Sequence, residues 1–518
     1  MRMQRKTLLL LLLGLILLFS FACSLPKLET TVGSTATVPP LSDVLGEQSE
    51  PQNATPPTGP ASPGEAPVVI SYPQPTPDSY RQLPALRTQS VQYTVQVNDS
   101  LAAIARAYSI GLEALIQANE IDDPGMIHPG EVLTIPPPEP KPSGTGFKIL
   151  PDSEVVYGPS TVGFDVGAFI QAQGGYLSQY QEQVEGETRS GSDIVLRVSQ
   201  DYSINPRLLL ALLDYTAGWL STANPSTAGS DYPLGYVNAA YQGLYRQLAW
   251  AANETNRGYY LWRVNGIAGW VLTDGSVVPP EATINAGTAG IQHVLSLLLD
   301  YPAWLEATNQ DGLYTTYFKL FGSPFPGNPE PILPAALTQP ALQLPFEPGQ
   351  TWRFTGGPHG AFGGGAAWAA LDFAPPGNAS GCVQSDAWVV AMTDGFITRS
   401  GRGQVIQDLD GDGNEQTGWV LLYLHIETRD RIEAGIQVQA GDRIGHPSCE
   451  GGVSTGTHVH VARRYNGEWI PADRELPFNL EGWLSSGTGI AYNGYLTRNG
   501  ETVTALTGTN PQNQITHE

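Results

Sequence analysis

Apolar and polar positions keep several distinct rhythms along this chain. Residues 1–22 carry Arg2, Arg5 and Lys6 ahead of an apolar run from Leu8 to Phe21, the layout of a secretory signal segment. The run is also near the lower length for a membrane span, so an uncleaved anchor is the competing reading. Residues 23–90 have no apolar period and are rich in Pro, Ser, Thr and Gly, as in Thr55-Pro-Pro-Thr-Gly-Pro. Such a stretch buries too little surface to offset chain entropy and is expected to be a disordered tether, with an end-to-end distance on the order of 45 Å. Within 91–137, alternation in Tyr93-Thr-Val-Gln-Val and Val132-Leu-Thr-Ile predicts two strands. Between them, the spacing of Leu101, Ile104, Ala105 and Tyr108, then of Leu112, Leu115 and Ile116, predicts two short helices, the first capped by Asp99 or Ser100.

A Pro-rich linker at 138–149 leads to a segment, 150–325, with helical period around Ile194, Leu208–Leu213 and Ile291–Leu299 and with Pro206 at a favoured first-turn position. After a second linker, 326–344, residues 345–487 alternate in short runs that predict an antiparallel sheet, and 488–518 read as a loose tail. The expected architecture is therefore multidomain α+β: a βααβ module, a mainly α-helical middle domain and an antiparallel β-sheet C-terminal domain.

Charge narrows the partners. Asp+Glu number 49 against 26 Lys+Arg, a net −23 with no basic cluster beyond the first residues, which argues against nucleic acid. Only 14% of residues are charged, with 58 Gly and 43 Pro, as suits a loop-rich extracytoplasmic protein. Of three cysteines, Cys23 follows the signal run; Cys382 and Cys449 remain as a pair that an oxidising compartment would bridge, with two free buried thiols as the alternative.

Chemistry gathers in the C-terminal domain. In Gly456-Thr-His-Val-His-Val the alternation of a strand sends His458 and His460 to one face, about 7 Å apart. Leu421, Tyr423 and His425 share a face of the run Trp419–Ile426 by the same rule. Asp372 is a lone carboxylate among apolar neighbours, a cost that a metal would remove. His359 stands in a glycine-rich loop. Two His and one Asp leave a fourth position for water, the composition of catalytic rather than structural zinc. Farther on, Asp408, Asp410, Asp412 and Asn414 follow the oxygen-rich spacing of a calcium loop, although Trp419 stands where an EF-hand has its bidentate Glu; an acidic solvated turn is the alternative. His446 reads as a loop residue.

These residues resemble families. His359, Asp372, the Tyr-Leu-His ending at His425 and the pair His458-x-His460 look like the signature of LytM/lysostaphin-type zinc endopeptidases. The thirteen residues from His359 to Asp372, where most of that family has four, are similar to its β-lytic and staphylolytic branch. The resemblance implies that His359, Asp372 and His460 bind Zn2+, that His458 and His425 form the catalytic pair, and that peptide bonds of peptidoglycan are the substrate. The unit from Tyr93 to Pro136 resembles a LysM module. This implies binding of N-acetylglucosamine-containing glycan at the loops holding Asn98, Asp99, Ser100, Leu101 and Ile121. Ser20-Phe21-Ala22-Cys23 resembles a lipoprotein cleavage box, which implies a lipid anchor on Cys23 at a membrane. Ser203 to Trp219 looks like the first helices of lysozyme-like transglycosylases, but Asp214-Tyr215 stands where those enzymes carry Glu-Ser. The expectation is an exported, wall-targeted zinc endopeptidase. The alternatives are a non-catalytic murein-binding or hydrolase-activating protein, and a glycan-strand hydrolase acting through the middle domain.

Overall fold

The computed structural model describes residues 77–518 apart from positions 98, 124, 126, 326–330 and 378–379. The expected signal segment, Cys23 and most of the expected tether lie outside the described residues. At its end the tether reading is corrected. Residues 77–90 contain no helix or strand, yet Asp78 and Arg81 donate backbone hydrogen bonds to the carbonyls of Thr283 and Ala282. Arg87 donates to the carbonyls of Tyr108 (3.2 Å) and Pro136 (3.0 Å). The backbone amides of Asp78 and Arg81 and the side chain of Arg87, none of which periodicity registers, fix this stretch.

Strands Val91–Thr94 and Val132–Ile135 pair antiparallel, with α1 (Leu101–Ala107) and α2 (Leu112–Ala118) between them. Ser100 caps α1 by accepting from the Ala103 amide. Leu101, Ile104, Leu115, Leu133 and Ile135 form the small core.

The middle region holds α3 (Val166–Gln173), α4 (Gly191–Tyr202), α5 (Pro206–Ala217), α6 (Leu244–Arg263), α7 (Ala286–Ser296), α8 (Tyr301–Ala307) and α9 (Thr315–Phe321). Ser190 and Asp193 make a capping box that starts α4, and Asn205 caps α5 with Pro206 in its first turn. All 11 residues of α7 are buried, so it runs through the centre of the helical region with α6 against it.

The C-terminal region is built on a nine-stranded sheet. Its spatial order is Gln437–Val438, Gly395–Gly401, Gln404–Asp408, Trp419–Leu424, Val459–Tyr465, Ala370–Ala374, Thr351–His359 and Gln514–Thr516, with Glu468–Trp469 pairing beside Val459–Tyr465. Neighbours are antiparallel throughout. Phe354, Leu371, Phe373, Leu421, Tyr423 and Val461 fill one core. The helical region docks on this sheet through buried charge. Asp201 at the end of α4 accepts from Arg399 (3.3 Å), Arg402 (3.3 Å) and Gln404 (3.2 Å), and Glu468 accepts from Tyr259 and Arg263, each at 2.9 Å.

The expected loose tail is the second correction. Trp483–Gly487, Gly494–Arg498 and Glu501–Thr504 join Asn479–Leu480 in a four-stranded sheet, and Gln514–Thr516 extends the main sheet beside Thr351–His359. Alternate positions there are buried, such as Trp483, Ser485 and Leu496, but apolar Leu484 and Tyr495 at exposed positions and polar Ser485 at a buried one blur the alternation. Ile515, 1% exposed and opposite Trp352, anchors the edge strand. Ile515→Ala is expected to cost about 2–5 kcal/mol, read as a lower urea midpoint of this region; an unchanged midpoint would mean that the strand contributes nothing.

Candidate metal centre

The register of three neighbouring strands assembles the site. His460 lies opposite Asp372, and Asp372 opposite Gly356 on the next strand. Gly356 answers a packing need, because a Cβ there would run into the Asp372 carboxylate. His359 is the last residue of its strand rather than part of a free loop, which corrects the expectation from its flanking glycines. The result is a convergence of His359 Nε2, His460 Nδ1 and Asp372 Oδ1, with separations of 3.0 Å between the nitrogens and 3.2 Å from each to the oxygen. All three residues are buried, and their ligand atoms are close enough to share one ion.

Protons elsewhere on the two rings decide what these atoms can do. His359 Nδ1 lies 2.8 Å from the Gly357 carbonyl, and His460 Nε2 lies 2.8 Å from that of Ala361. A carbonyl only accepts, so each of those nitrogens carries the ring proton, and the nitrogen facing the centre is bare. Asp372 Oδ1 is buried and receives no hydrogen bond. Three acceptors therefore point at one another, an arrangement that is costly unless a cation sits between them. With a proton as the sole available cation, burial opposes charge on His359, but Asp372 outweighs it and raises that pKa. Asp372 itself is held far below the usual carboxylate range, its burial being overcome by His359 and His458. Burial keeps His460 shifted down.

His458 and His425 stand beside this centre. His458 immediately precedes strand Val459–Tyr465, bridges to Ser448 and gives its Nδ1 proton to the Gly456 carbonyl at 2.8 Å. Its Nε2 lies 3.6 Å from Asp372 Oδ1. His425 departs from the expected alternation. Leu421 and Tyr423 enter the core, but the strand ends at Leu424 and His425 turns left-handed at φ 65°, a conformation costing on the order of 1–3 kcal/mol. Hydrogen bonds hold it there, from its Nδ1 to the Glu450 carbonyl (2.8 Å) and from the Ser448 amide to its own carbonyl (2.7 Å). Its ring centroid is then 4.5 Å from that of His458. Burial, then His458 and His460, push its pKa down to about 3, so it is neutral with Nε2 bare.

Other parts of the site carried no sequence signal. Tyr492, in the expected tail, stacks on His359 at 4.2 Å between ring centroids, and its backbone exchanges hydrogen bonds with Gly357 and Pro358. The Ala361 carbonyl acts through a backbone position that no residue type announces. Cys382 and Cys449 are joined by a disulfide spanning 67 residues. Beside it Thr457 donates its amide to Gly381 and its hydroxyl to Val383, so the approach to His458 is fixed on both sides of the bridge.

The remaining candidates lie apart from this centre. In the βααβ unit, Asp99 accepts from the Gln96 amide (2.7 Å) and the Tyr93 hydroxyl (2.6 Å), and Ser100 is the helix cap. Leu101 is 2% exposed and belongs to the core, which corrects its assignment as a glycan contact. Ile121 is half-buried against that core, and Asn98 lies outside the described residues. In the hairpin after Gln404–Asp408, the carboxylates of Asp408, Asp410 and Asp412 gather, with Asp408 buried. Asn414 donates its side-chain amide to the Asp412 carbonyl. Burial, together with Asp410, raises Asp408 to about 6. Asp214, the one carboxylate near the place of a transglycosylase acid, spends Oδ1 on the Leu220 and Ser221 amides and the Ser221 hydroxyl, which closes the turn after α5. His446 bonds to the Ala387 carbonyl, away from the centre.

Comparison with known proteins agrees with this layout. The model for the LasA N-terminal domain matches residues 148–334, in place of the lysozyme-like resemblance, and that for the LysM domain matches residues 93–136. Protease LasA of Pseudomonas aeruginosa is 26% identical over 341 residues, 62% of this chain and 74% of the relative. The beta-lytic metalloendopeptidase of Achromobacter lyticus is 27% identical over 172 residues, 31% of this chain and 43% of the relative. Among solved structures, the M23 metalloprotease pseudoalterin is 26% identical with a TM-score of 0.28, covering 34% of this chain and 99% of its own. The chain is thus homologous to LasA and the beta-lytic metalloendopeptidases and carries a LysM domain and a LasA-type N-terminal domain.

Proposed function

We propose that this protein is an extracytoplasmic zinc endopeptidase that hydrolyses peptide bonds in peptidoglycan, held near its substrate by the LysM domain. The observation that carries the reading is the set of three mutually facing acceptors on His359, Asp372 and His460. That set suits zinc: two imidazoles and one carboxylate, with room for a further ligand. When bound, zinc supplies Lewis acidity toward a peptide carbonyl and lowers the pKa of a water.

The chain's own groups then divide the proton traffic. His458 offers a bare Nε2 beside Asp372, so the imidazolium formed when it takes the proton of the attacking water is stabilised by that carboxylate. It then passes the proton to the leaving amine. His425 has no carboxylate of its own, stays neutral and presents an acceptor. It is therefore suited to orient the water by accepting its second hydrogen bond. Tyr492 and the Gly357 carbonyl keep the His359 ring in plane. A glycan-strand hydrolase acting through Asp214 is disfavoured, because that oxygen already accepts three hydrogen bonds.

Digestion of purified sacculi is expected to release new amino termini without new reducing sugars; the reverse pattern would overturn the endopeptidase reading. His460→Ala is expected to lose the single zinc measured by metal analysis. His458→Ala should keep the zinc while cleavage falls by about 10²–10⁴-fold. A His458→Ala protein that cleaves at the parent rate would remove His458 from the mechanism.

The Asp408 cluster is assigned to Ca2+ on the strength of its gathered carboxylates and the raised pKa of Asp408. A folded-state pKa raised above the unfolded value favours the neutral acid, so stability is lost as pH rises from the unfolded value through about 6. A bound cation offsets that loss. Millimolar Ca2+ is therefore expected to raise the melting temperature at pH 7.5 and to have little effect at pH 4. The shift should be absent in Asp410→Asn/Asp412→Asn.

A further inference from the structure

We infer that Asn253, on helix α6 of the LasA-type domain, is a positioning residue for the metal centre: it fixes the loop whose backbone orients His460. The inference rests on the metal reading above and adds to it a residue from another part of the chain.

The path is short and made of directional contacts. Asn253 Oδ1 accepts from the Gly365 amide at 2.8 Å. Its own amide is held by Glu254 Oε1 at 2.9 Å, which leaves Oδ1 as the atom that faces the loop. Glu254 is in turn fixed by Arg257 and His293, each at 3.1 Å. On the loop, Phe362 meets Tyr202 of α4 edge to face at 5.1 Å. Gly365 lies so close to α6 that a Cβ would overlap the Asn253 carbonyl. Within the loop the Ala361 amide donates to Ala367 at 3.0 Å, and the Ala361 carbonyl accepts from His460 Nε2 at 2.8 Å. That last bond keeps the ring proton away from the centre and leaves Nδ1 bare beside His359 and Asp372. The helical region therefore reaches the ligand set through one amide oxygen, one loop and one backbone carbonyl.

General domain docking is carried elsewhere, by Asp201 with Arg399 and Arg402 and by Glu468 with Tyr259 and Arg263. Replacing Asn253 leaves those contacts in place, so its effect falls on the loop. Asn253→Ala removes the acceptor that holds the Gly365 amide. Gly365→Ala pushes the loop off α6 without touching the Asn253 amide.

Zinc affinity by chelator competition, and the visible spectrum after Co2+ substitution, provide the test on the full chain. Asn253→Ala and Gly365→Ala are expected to weaken zinc binding about tenfold and to change the Co2+ spectrum. Glu468→Ala should lower the unfolding midpoint yet bind zinc as the parent does. Parent-like affinity and spectrum in folded Asn253→Ala and Gly365→Ala would overturn the inference while leaving the metal reading intact. So would an Asn253→Ala defect that Glu468→Ala reproduces, since docking alone would then explain it. Failure of the parent itself to bind zinc, with His460→Ala no different, would instead bring down the metal reading and this inference with it.

Discussion

Two lone pairs and a carboxylate oxygen aimed at one point, within 3.2 Å of each other, are the constraint on which the rest of the C-terminal region depends. Left alone, such an arrangement repels itself, and a sheet would relax to relieve it. The structure prevents this by giving the ring protons fixed acceptors elsewhere. The carbonyls of Gly357, Ala361, Gly456 and Glu450 each take one from His359, His460, His458 and His425. Four backbone oxygens thus define four tautomers. The glycine at 356, the left-handed turn at His425 and the stacked ring of Tyr492 serve the same arrangement.

Charge is used differently at the junction with the helical region. Glu415 is buried between Arg399 and Arg464, and Arg399 continues to Asp201. Desolvating such a cluster is costly, and the cost is offset only because each carboxylate meets more than one donor. Arg463 follows another rule. It is fully buried with no carboxylate among its described partners, its guanidinium resting on Trp419 and Phe478 and donating to Gln339 and to the Leu476 carbonyl. Burial pushes its pKa down to about 9, which still leaves it charged at neutral pH. Gln339 belongs to the segment expected to be a plain linker, and its hydrogen bond to Arg463 turns that segment into a strap across the sheet.

What could be read from sequence follows physical lines. The βααβ unit was legible because Leu101, Ile104, Leu115 and Leu133 repeat at helix and strand periods. The histidines and Asp372 were legible because rare residue types recur at strand spacing among apolar neighbours. Leu101 as a glycan contact was misjudged because a cap residue and the core residue after it share one motif. The strands at 494–516 stayed hidden because they are short and an exposed Tyr495 stands beside the buried Leu496, which blurs the alternation. Asn253, Tyr492 and the Ala361 carbonyl had no periodic signal at all. Each acts across a long sequence separation through one hydrogen bond or ring contact, and only tertiary structure brings such groups together.

The wide spread of the site along the chain also sets when it can exist. A ribosome delivers His359 roughly 100 and Asp372 roughly 90 residues before His460, and at ordinary elongation rates that gap lasts on the order of ten seconds. The residues of the helical region come earlier in the chain, and Tyr492, which stacks on His359, comes later than His460. A polypeptide that stops short of His460 therefore lacks one of the three ligand residues, and the centre can close only once that last strand lies beside Asp372.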